Sequence, residues 1–167
     1  MKSRFTLLFL IVFSGCIFAQ SKIEAGKKAP EITMSKADGT SFALSTLKGK
    51  LVLIDFWATW CAPCVEEQPA LKTLYETYAE QVKNNKFEIL GVSLDKNKES
   101  WQKAIDRFNI HWIQISDLKF WKSPVAKTYE IDELPFNVII DGEGTILAKN
   151  LHGKDLEEFL KKNLNRN

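Results

Sequence analysis

The sequence predicts an α/β fold in which a central mixed β-sheet is flanked by helices and carries an N-terminal β-hairpin. Two continuous apolar runs of strand length, residues 51–57 and 87–94, are typical of central strands that are covered on both faces. Each run is followed by a segment whose apolar residues recur at helical spacing. A final hairpin completes the pattern, which is that of a layered α/β domain.

The first predicted element is the hairpin. Short apolar runs at 32–34 and 41–44 flank Asp38-Gly39, a dipeptide that favours a tight turn. The central strand at 51–57 follows. A helix is then predicted over about residues 61–83, with these residues on one face: Leu71, Leu74, Tyr75 and Tyr78.

The second half of the chain continues the alternation of strands and helices. After the strand at 87–94 the predicted elements are a helix at 98–108, a short strand at 112–115, a short helix at 124–129, strands at 135–141 and 145–151 around a turn at 141–144, and an amphipathic helix at 154–164.

Residues 1–20 have the organisation of a secretory signal peptide. Lys2 and Arg4 precede an apolar run at 7–13, and small residues follow up to Ala19. The run is shorter than the roughly twenty apolar residues that span a membrane, and no comparable run appears later. We therefore predict a signal peptide at 1–20, one exported domain at 21–167 and no integral membrane span.

Cys16 lies inside this signal region. The residues around it also resemble a bacterial lipobox, in which the cysteine would be lipidated and become the new N-terminus. A lipobox usually has Leu three residues before its cysteine, where this chain has Phe13. We expect ordinary cleavage after Ala19 or Gln20 rather than a lipid anchor at Cys16, and localisation in the periplasm or cell envelope.

The charge of the exported domain is balanced. The chain has 23 Lys and Arg against 21 Asp and Glu, and removal of Lys2 and Arg4 with the signal peptide leaves equal numbers of each sign. A balanced charge gives no general attraction for nucleic acids or acidic membranes. We therefore expect no nucleic-acid partner.

Cys61 and Cys64 are the cysteines of the exported domain, and their surroundings limit what the pair can do. A zinc site needs four ligands, and the only histidines, His111 and His152, are far apart in the chain. Covalent haem attachment needs His after the second cysteine, where Val65 stands. A peroxidase centre of the peroxiredoxin kind has Thr three residues before its cysteine, and neither cysteine has one.

A structural disulfide is the simplest remaining alternative, but cysteines three apart close so small a loop that the unfolded chain loses little entropy. A reversible dithiol explains the spacing better. At the first turn of a helix, the Cys61 sulfur faces free N–H groups and the positive end of the helix dipole, which favour the thiolate. Cys64 is one turn further on and deeper, and Pro63 suits the first turn because it has no N–H to leave unpaired.

The stretch WATWCAPCVEEQP resembles the active site of thioredoxin-fold proteins, specifically the TlpA/ResA-like group of exported thiol:disulfide oxidoreductases, with an AhpC/TSA-redoxin-type domain. The group's pattern is W-C-x-P-C-x-x-E-x-P, and the matching residues are Trp60, Cys61, Pro63, Cys64, Glu67 and Pro69. The lead-in to the first central strand and the segment YEIDELPFNVIIDGEGTILAKNLHG also match, so the resemblance spans about residues 26–164. It implies a thioredoxin-like fold with an N-terminal hairpin extension.

The resemblance also implies roles for the matching residues. Cys61 is expected to be the exposed attacking thiolate, and Cys64 the resolving thiol that releases the mixed disulfide. Pro135 corresponds to a cis-proline packed against the dithiol, although trans is the commoner isomer. The substrate groove is expected to contain Trp60, Ala62, Pro63 and Leu134, the last presenting its backbone.

Two acids are candidates for proton transfer. Asp55 interrupts an apolar strand and matches the buried acid of thioredoxin, although relatives of the TlpA/ResA type often carry a different residue there. Glu67 is one turn after Cys64, where spacing alone allows a solvated helix residue, but the group's matching Glu lies near the dithiol. Asp55 and Glu67 together imply a site with two carboxylates as proton acceptors.

The matching segments depart from the group's pattern in one place, since Phe136 and Asn137 stand where small hydroxylic residues are more common. This departure bears on the shape of the substrate groove. The remaining tryptophans are interpreted as core or groove aromatics without a catalytic role: Trp101, Trp112 and Trp121.

The sequence thus predicts an exported thiol:disulfide oxidoreductase that needs no metal, flavin or nucleotide cofactor. Its expected partners are disulfide-containing envelope proteins, which it reduces, and a membrane or envelope thiol reductant that restores its dithiol. Apocytochromes are one substrate class, through cytochrome c maturation. The alternatives are a dithiol oxidant or thiol peroxidase, and a metallochaperone or adaptor that keeps the fold without turnover.

Overall fold

The computed structural model describes residues 23–164. The predicted signal peptide and the lipidation of Cys16 lie outside these residues. Seven strands are described: β1 Thr33–Lys36, β2 Ser41–Ala43, β3 Leu51–Trp57, β4 Phe87–Ser93, β5 Ile113–Ser116, β6 Phe136–Ile140 and β7 Ile146–Lys149. They form one sheet in the order β2-β1-β5-β4-β3-β6-β7.

The sheet is mixed, as predicted. β4 pairs in parallel with β3 and β5, whereas β6 runs antiparallel to β3 and β7 antiparallel to β6. The N-terminal hairpin of β1 and β2 joins the β5 edge through antiparallel pairs. Its turn places Gly39 at φ 88°, a region that glycine enters without the steric cost of a side chain.

The α-helices are α1 Ala62–Thr77, α2 Ala79–Lys83, α3 Lys98–Arg107, α4 Pro124–Thr128 and α5 Gly153–Leu164. The single helix predicted over 61–83 is wrong, because the chain leaves helical geometry at Tyr78, where φ is −101° and ψ is 24°. The buried Tyr78 ring packs edge-on against Phe87 of β4, with 5.9 Å between ring centroids. The break turns the chain towards the start of β4.

The two faces of the sheet carry separate apolar clusters. Leu53 and Trp57 of β3 pack in the cluster that contains the buried residues of α1, α3 and α5, together with Cys61 and Cys64. Val52, Ile54 and Phe56 of β3 pack on the opposite face with α4 and the N-terminal segment. Because side chains alternate along a strand, Asp55 shares the face of Leu53 and Trp57. The fold therefore places Asp55 on the dithiol side of the sheet.

Gly91 of β4 allows a close contact beside this site. A Cβ atom at position 91 would overlap the side-chain amide of Gln114 from β5. Gln114 uses the space to accept a hydrogen bond of 2.9 Å from the indole N–H of Trp57. The glycine thereby allows Gln114 of β5 to reach across β4 and bind Trp57, the last residue of β3, just before the dithiol segment.

Within residues 23–164, none of the helices combines the length and the apolar character that crossing a membrane requires.

Candidate active site

Cys61 and Cys64 lie at the start of α1 and are joined by a disulfide, with 5.3 Å between their Cα atoms. Cys61 is the N-cap residue of α1, and its sulfur accepts a hydrogen bond of 3.2 Å from the backbone N–H of Cys64. Pro63 lies in the first turn, where its missing N–H leaves no donor unpaired. The Cys61 sulfur is thus at the positive end of the helix.

The two cysteine residues differ in burial, but both are largely enclosed. Cys64 is 1% exposed and Cys61 is 6% exposed. The expectation that Cys64 is the deeper residue agrees with these values, whereas the exposed position expected for Cys61 is wrong. Both cysteines belong to the apolar cluster that includes Trp57 and Ala58, which covers most of the Cys61 surface in the oxidised state.

The Leu134–Pro135 peptide bond is cis, as the resemblance implies. Pro135 immediately precedes β6, whose first residue, Phe136, pairs with Phe56 near the end of β3. This pairing brings the proline to the same end of the sheet as the dithiol segment, which follows β3. Leu134 is partly buried and packs against the apolar clusters on both faces.

Asp55 is buried in the middle of the sheet, 3% exposed, and lies between Gly91 of β4 and Asn137 of β6. Its Oδ2 atom has no hydrogen-bond partner among the described residues. Burial, followed by the negative charge of Glu67, raises the pKa of Asp55 to about 7, and a hydrogen bond with Gln68 opposes the shift. A carboxyl with such a pKa exchanges its proton near neutral pH.

Glu67 contacts His152, a residue to which the sequence assigned no role in the dithiol reaction. His152 Nδ1 lies 2.9 Å and 3.1 Å from the two carboxylate oxygens of Glu67, and its Nε2 lies 3.1 Å from Asn150 Oδ1. The Glu67 side chain is 17% exposed, so it is not a solvated helix residue. The hydrogen bond to Glu67 raises the pKa of His152, against an opposing effect of burial, and the charges of Glu67 and Asp55 add to the rise.

Asn137 anchors the segment that carries His152. Its buried side chain donates a hydrogen bond of 2.6 Å to the Leu151 carbonyl and accepts one of 3.1 Å from the Leu151 N–H. The Asn137 carbonyl also accepts a hydrogen bond of 2.8 Å from the Asn150 N–H. The Asn137 side chain thus binds the backbone inside the protein and was expected instead to shape the substrate groove. Phe136, the other residue that departs from the family pattern, packs against the Phe56 ring.

Asp95 holds the turn between β3 and α1, a contact that the sequence analysis missed. Its buried carboxylate accepts hydrogen bonds from the Thr59 N–H at 3.1 Å, the Thr59 hydroxyl at 2.6 Å and the Ser93 hydroxyl at 2.8 Å. The Trp60 indole N–H donates to the Leu94 carbonyl at 3.3 Å. The residues immediately before Cys61 are thus tied to the end of β4.

Trp60, Phe120 and Trp121 form an aromatic surface beside the dithiol. Trp60 and Trp121 are 44% and 38% exposed and are the large hydrophobic residues that stand out as exposed in the described part of the chain. The Trp60 ring centroid lies 4.9 Å from that of Phe120 and 5.8 Å from that of Trp121. The Lys96 ammonium lies over Phe120, 5.7 Å from its centroid. Trp101 and Trp112 are buried in the core, as interpreted from the sequence.

Across residues 23–164, no group of three or more His, Cys, Asp or Glu side chains is arranged to hold a metal ion. The arrangement offers thiol–disulfide exchange instead. A helix N-terminus favours a thiolate on Cys61, Cys64 lies within bonding distance of it, and acidic groups on the same face of the sheet can accept a proton.

Comparison with known proteins agrees with this chemistry. Residues 25–149 match the AhpC/TSA family. The thiol-disulfide oxidoreductase ResA of Bacillus cereus is 30% identical, over 95% of this chain and 94% of its own. A thiol-disulfide oxidoreductase from Bacteroides fragilis superposes with a TM-score of 0.76 at 35% identity, covering 81% of this chain and 98% of its own. A thiol:disulfide interchange protein from a Bacteroides species gives 0.77 at 36% identity, covering 86% and 92%.

The chain therefore belongs to the AhpC/TSA family and is a thiol-disulfide oxidoreductase of thioredoxin-like fold and ResA/TlpA type, with Cys61 and Cys64 as its redox pair.

Proposed function

We propose that this oxidoreductase is exported to the cell envelope and reduces disulfides in other envelope proteins. The observation that carries the direction of electron flow is the pair of carboxyls on the dithiol side of the sheet, buried Asp55 and largely buried Glu67. Negative charge on the dithiol side of the sheet disfavours a second thiolate, at Cys64. Strong dithiol oxidants owe their potential to a stabilised reduced form, so this arrangement supports a reductant.

In the proposed reaction, the Cys61 thiolate attacks one sulfur of the substrate disulfide, and the other substrate sulfur leaves as a thiolate that takes up a proton. Cys64 then loses its proton to a carboxylate and attacks Cys61. The mixed disulfide breaks, the Cys61–Cys64 bond forms, and the second substrate sulfur leaves as a thiolate that is protonated in turn. The substrate gains two electrons from the dithiol and two protons, one that Cys64 gives up through the carboxylate and one from solvent. A separate thiol reductant in the membrane or envelope must return the two electrons.

The surroundings of Cys61 support a protein substrate. Ala62 and Pro63 are exposed beside the sulfur, and Trp60 with its aromatic neighbours offers apolar contact area. We propose that the substrate chain lies across Trp60, Ala62 and Pro63 and meets the Leu134 backbone next to cis-Pro135. An apocytochrome with a C-x-x-C-H segment is one proposed substrate.

A redox titration of the purified protein tests the proposed direction. A reductant is expected to have a potential nearer the roughly −270 mV of thioredoxin than the roughly −120 mV of the periplasmic oxidant DsbA. A value at the oxidising end contradicts the proposal. Trapping with Cys64→Ser, which stalls the mixed disulfide on Cys61, identifies the substrates. The matched control is the Cys61→Ser, Cys64→Ser double variant, which captures nothing through the dithiol.

Intact mass of the protein isolated from its host tests the export proposal. We expect the mature chain to begin at Gln20 or Ser21 after signal cleavage. An N-terminus at Cys16 that carries acyl chains would show a lipid anchor instead, and an intact N-terminal segment would contradict export by cleavage.

A further inference from the structure

We infer that His152 is a positioning residue for the dithiol reaction: held as an imidazolium between Glu67 and Asn150, it offsets the charge of Glu67 so that the buried Asp55 carboxyl can take the Cys64 proton. The inference rests on the proposed role of Asp55 and Glu67 as proton acceptors. His152 acts on the dithiol indirectly, through its contact with Glu67 and its charge near Asp55.

The hydrogen-bond geometry around the ring supports the charged form. Nδ1 faces both oxygens of the Glu67 carboxylate, and Nε2 faces the Asn150 amide oxygen, all within 3.1 Å. A neutral imidazole carries one N–H and can donate to only one of these partners. With the Asn150 oxygen facing Nε2, both contacts are hydrogen bonds when both nitrogens are protonated, and the Glu67 carboxylate favours that charged form of the ring.

The backbone holds the ring in this place. Asn137 binds both backbone polar groups of Leu151, directly before His152. Asn150 has φ 55°, in the left-handed region that Asn enters more readily than most residues. α5 begins immediately after the ring, at Gly153. His152 is therefore fixed from both sides along the chain, and it meets α1 through Glu67.

The charged groups that act on His152 come from two other elements. They are Glu67 of α1, through a hydrogen bond and its charge, and Asp55 of β3, through its charge. The nearest basic side chain before it in the chain, Lys149, is directed to the Ile23 carbonyl at 2.8 Å. The His152 ring thus lies near two negative groups, and its positive charge compensates the charge of the Glu67 carboxylate.

This compensation reaches Asp55. Burial and Glu67 raise the Asp55 pKa, whereas Gln68 and the positive charge of His152 lower it. Without the imidazolium, the unbalanced charge of Glu67 would hold the proton on Asp55 to higher pH. Asp55 would then be protonated, and unable to accept the Cys64 proton, over more of the neutral range.

The test follows the two steps of oxidation by 5,5′-dithiobis(2-nitrobenzoate), each of which releases one coloured thiolate. The first release reports the attack by Cys61, and the second reports resolution by Cys64. In His152→Gln, we expect the midpoint of the acid limb of the resolution profile to rise by about 0.5–1 pH unit. His152→Arg keeps the cation and is expected to stay near the wild-type midpoint, and His111→Gln, at the exposed second histidine, is the matched control.

Failure of the inference differs from failure of the proposed acid role. If Asp55→Asn abolishes the acid limb but His152→Gln leaves its midpoint unchanged, the acid role stands and the inference is overturned. If Asp55→Asn leaves the limb unchanged, Asp55 is not the acceptor and the inference is overturned. If the Asp55→Asn, Glu67→Gln double variant also leaves it unchanged, the acid role itself fails. An equal shift in His152→Arg and His152→Gln also overturns the inference, because loss of shape would then explain both.

Two further measurements do not depend on the fold of His152→Gln. Asn150→Ala is expected to shift the resolution midpoint in the same direction by a smaller amount, because the Nε2 partner is lost. In the wild-type oxidised protein, proton NMR is expected to show the His152 ring titrating above the ordinary value of about 6.5. Titration at or below that value would show a neutral ring at neutral pH and overturn the inference.

Discussion

Asp55 of β3 lies directly opposite Asn137 of β6, and the two buried side chains serve the two halves of one site. Asp55 supplies a carboxyl that titrates near neutral pH, whereas Asn137 binds the backbone beside His152, the ring that contacts Glu67. The pairing of the two strands thus fixes where Asp55, a proposed proton acceptor, lies relative to His152, the residue proposed to compensate the charge of Glu67.

The two cysteines are expected to differ in reactivity after reduction. Cys61 should be alkylated faster than Cys64 near neutral pH, because the helix N-terminus and the Cys64 N–H favour its thiolate. Alkylation rates of Cys61→Ser and Cys64→Ser across pH measure each remaining thiol separately. Equal rates at the two positions would remove the proposed division into attacking and resolving cysteines.

Loss of the acids is expected to slow resolution rather than attack. General-base assistance contributes about 10²–10⁴-fold, so Asp55→Asn or Glu67→Gln should accumulate the Cys61 mixed disulfide by up to that factor. The double variant should lose more than either single one, because the two acids overlap in role. Stopped-flow and quenched mass measurements follow the intermediate. A folded double variant that resolves mixed disulfides at the wild-type rate would return both carboxyls to a structural role.

Asp55 should also make stability depend on pH. Its pKa is raised in the folded protein, so the folded state holds this proton more tightly than the unfolded chain. The resulting stabilisation is present below the unfolded pKa of about 3.9 and is lost as pH rises through about 7. Denaturant unfolding of the oxidised protein should show wild type losing a few kcal/mol relative to Asp55→Asn over this window. A constant difference between the two proteins from pH 4 to 8 would contradict the assignment.

Asn137→Ala is expected to destabilise the oxidised protein by about 1–3 kcal/mol, because the partly buried Leu151 N–H and C=O lose their partners. It should also move the resolution midpoint in the same direction as His152→Gln, since the ring is no longer held. Chemical denaturation and the two-step oxidation assay measure these effects, with Asn84→Ala at an exposed position as control. Loss of stability without a shift in the midpoint would separate Asn137 from the charge of His152.

The aromatic surface predicts a difference between substrates. Trp121→Ala removes exposed apolar area beside Trp60 without touching the sulfurs. We expect kcat/KM to fall several-fold more for a protein disulfide than for a small aromatic disulfide, because only a protein is large enough to cover the whole surface. An equal fall in kcat/KM for both substrates would indicate that Trp121 only holds Trp60 in place and does not contact the protein substrate.

Much of the fold was predictable because its signals are local. The apolar run at β3 gave the observed bounds of that strand, and the C-x-x-C pair followed by a helical pattern indicated a redox site. The break at Tyr78 was not predictable from helical spacing, because the aromatic face continues through it and the contact with Phe87 is tertiary.

The parts of the site that sequence could not predict are made by distant residues. His152 meets Glu67 across 85 positions, and no spacing rule connects them. From the sequence, Asn137 was expected to alter the shape of the substrate groove. Its hydrogen bonds to Leu151 could not be predicted, because the family pattern does not tell which partner the side chain of a strand residue binds. Trp121 lies in the short 3₁₀ turn Phe120–Lys122 and is exposed, whereas Trp101 lies on the buried face of α3.

The burial of Cys61 affects which thiols can reduce the Cys61–Cys64 disulfide. With 6% of the residue exposed in the oxidised state, an incoming thiolate must reach the sulfur along a narrow range of directions. Small thiols that collide at random meet Ala62, Pro63 or Trp60 far more often than they meet sulfur. We therefore expect the oxidised domain to be reduced faster by a protein that presents its thiolate along that path than by small thiols.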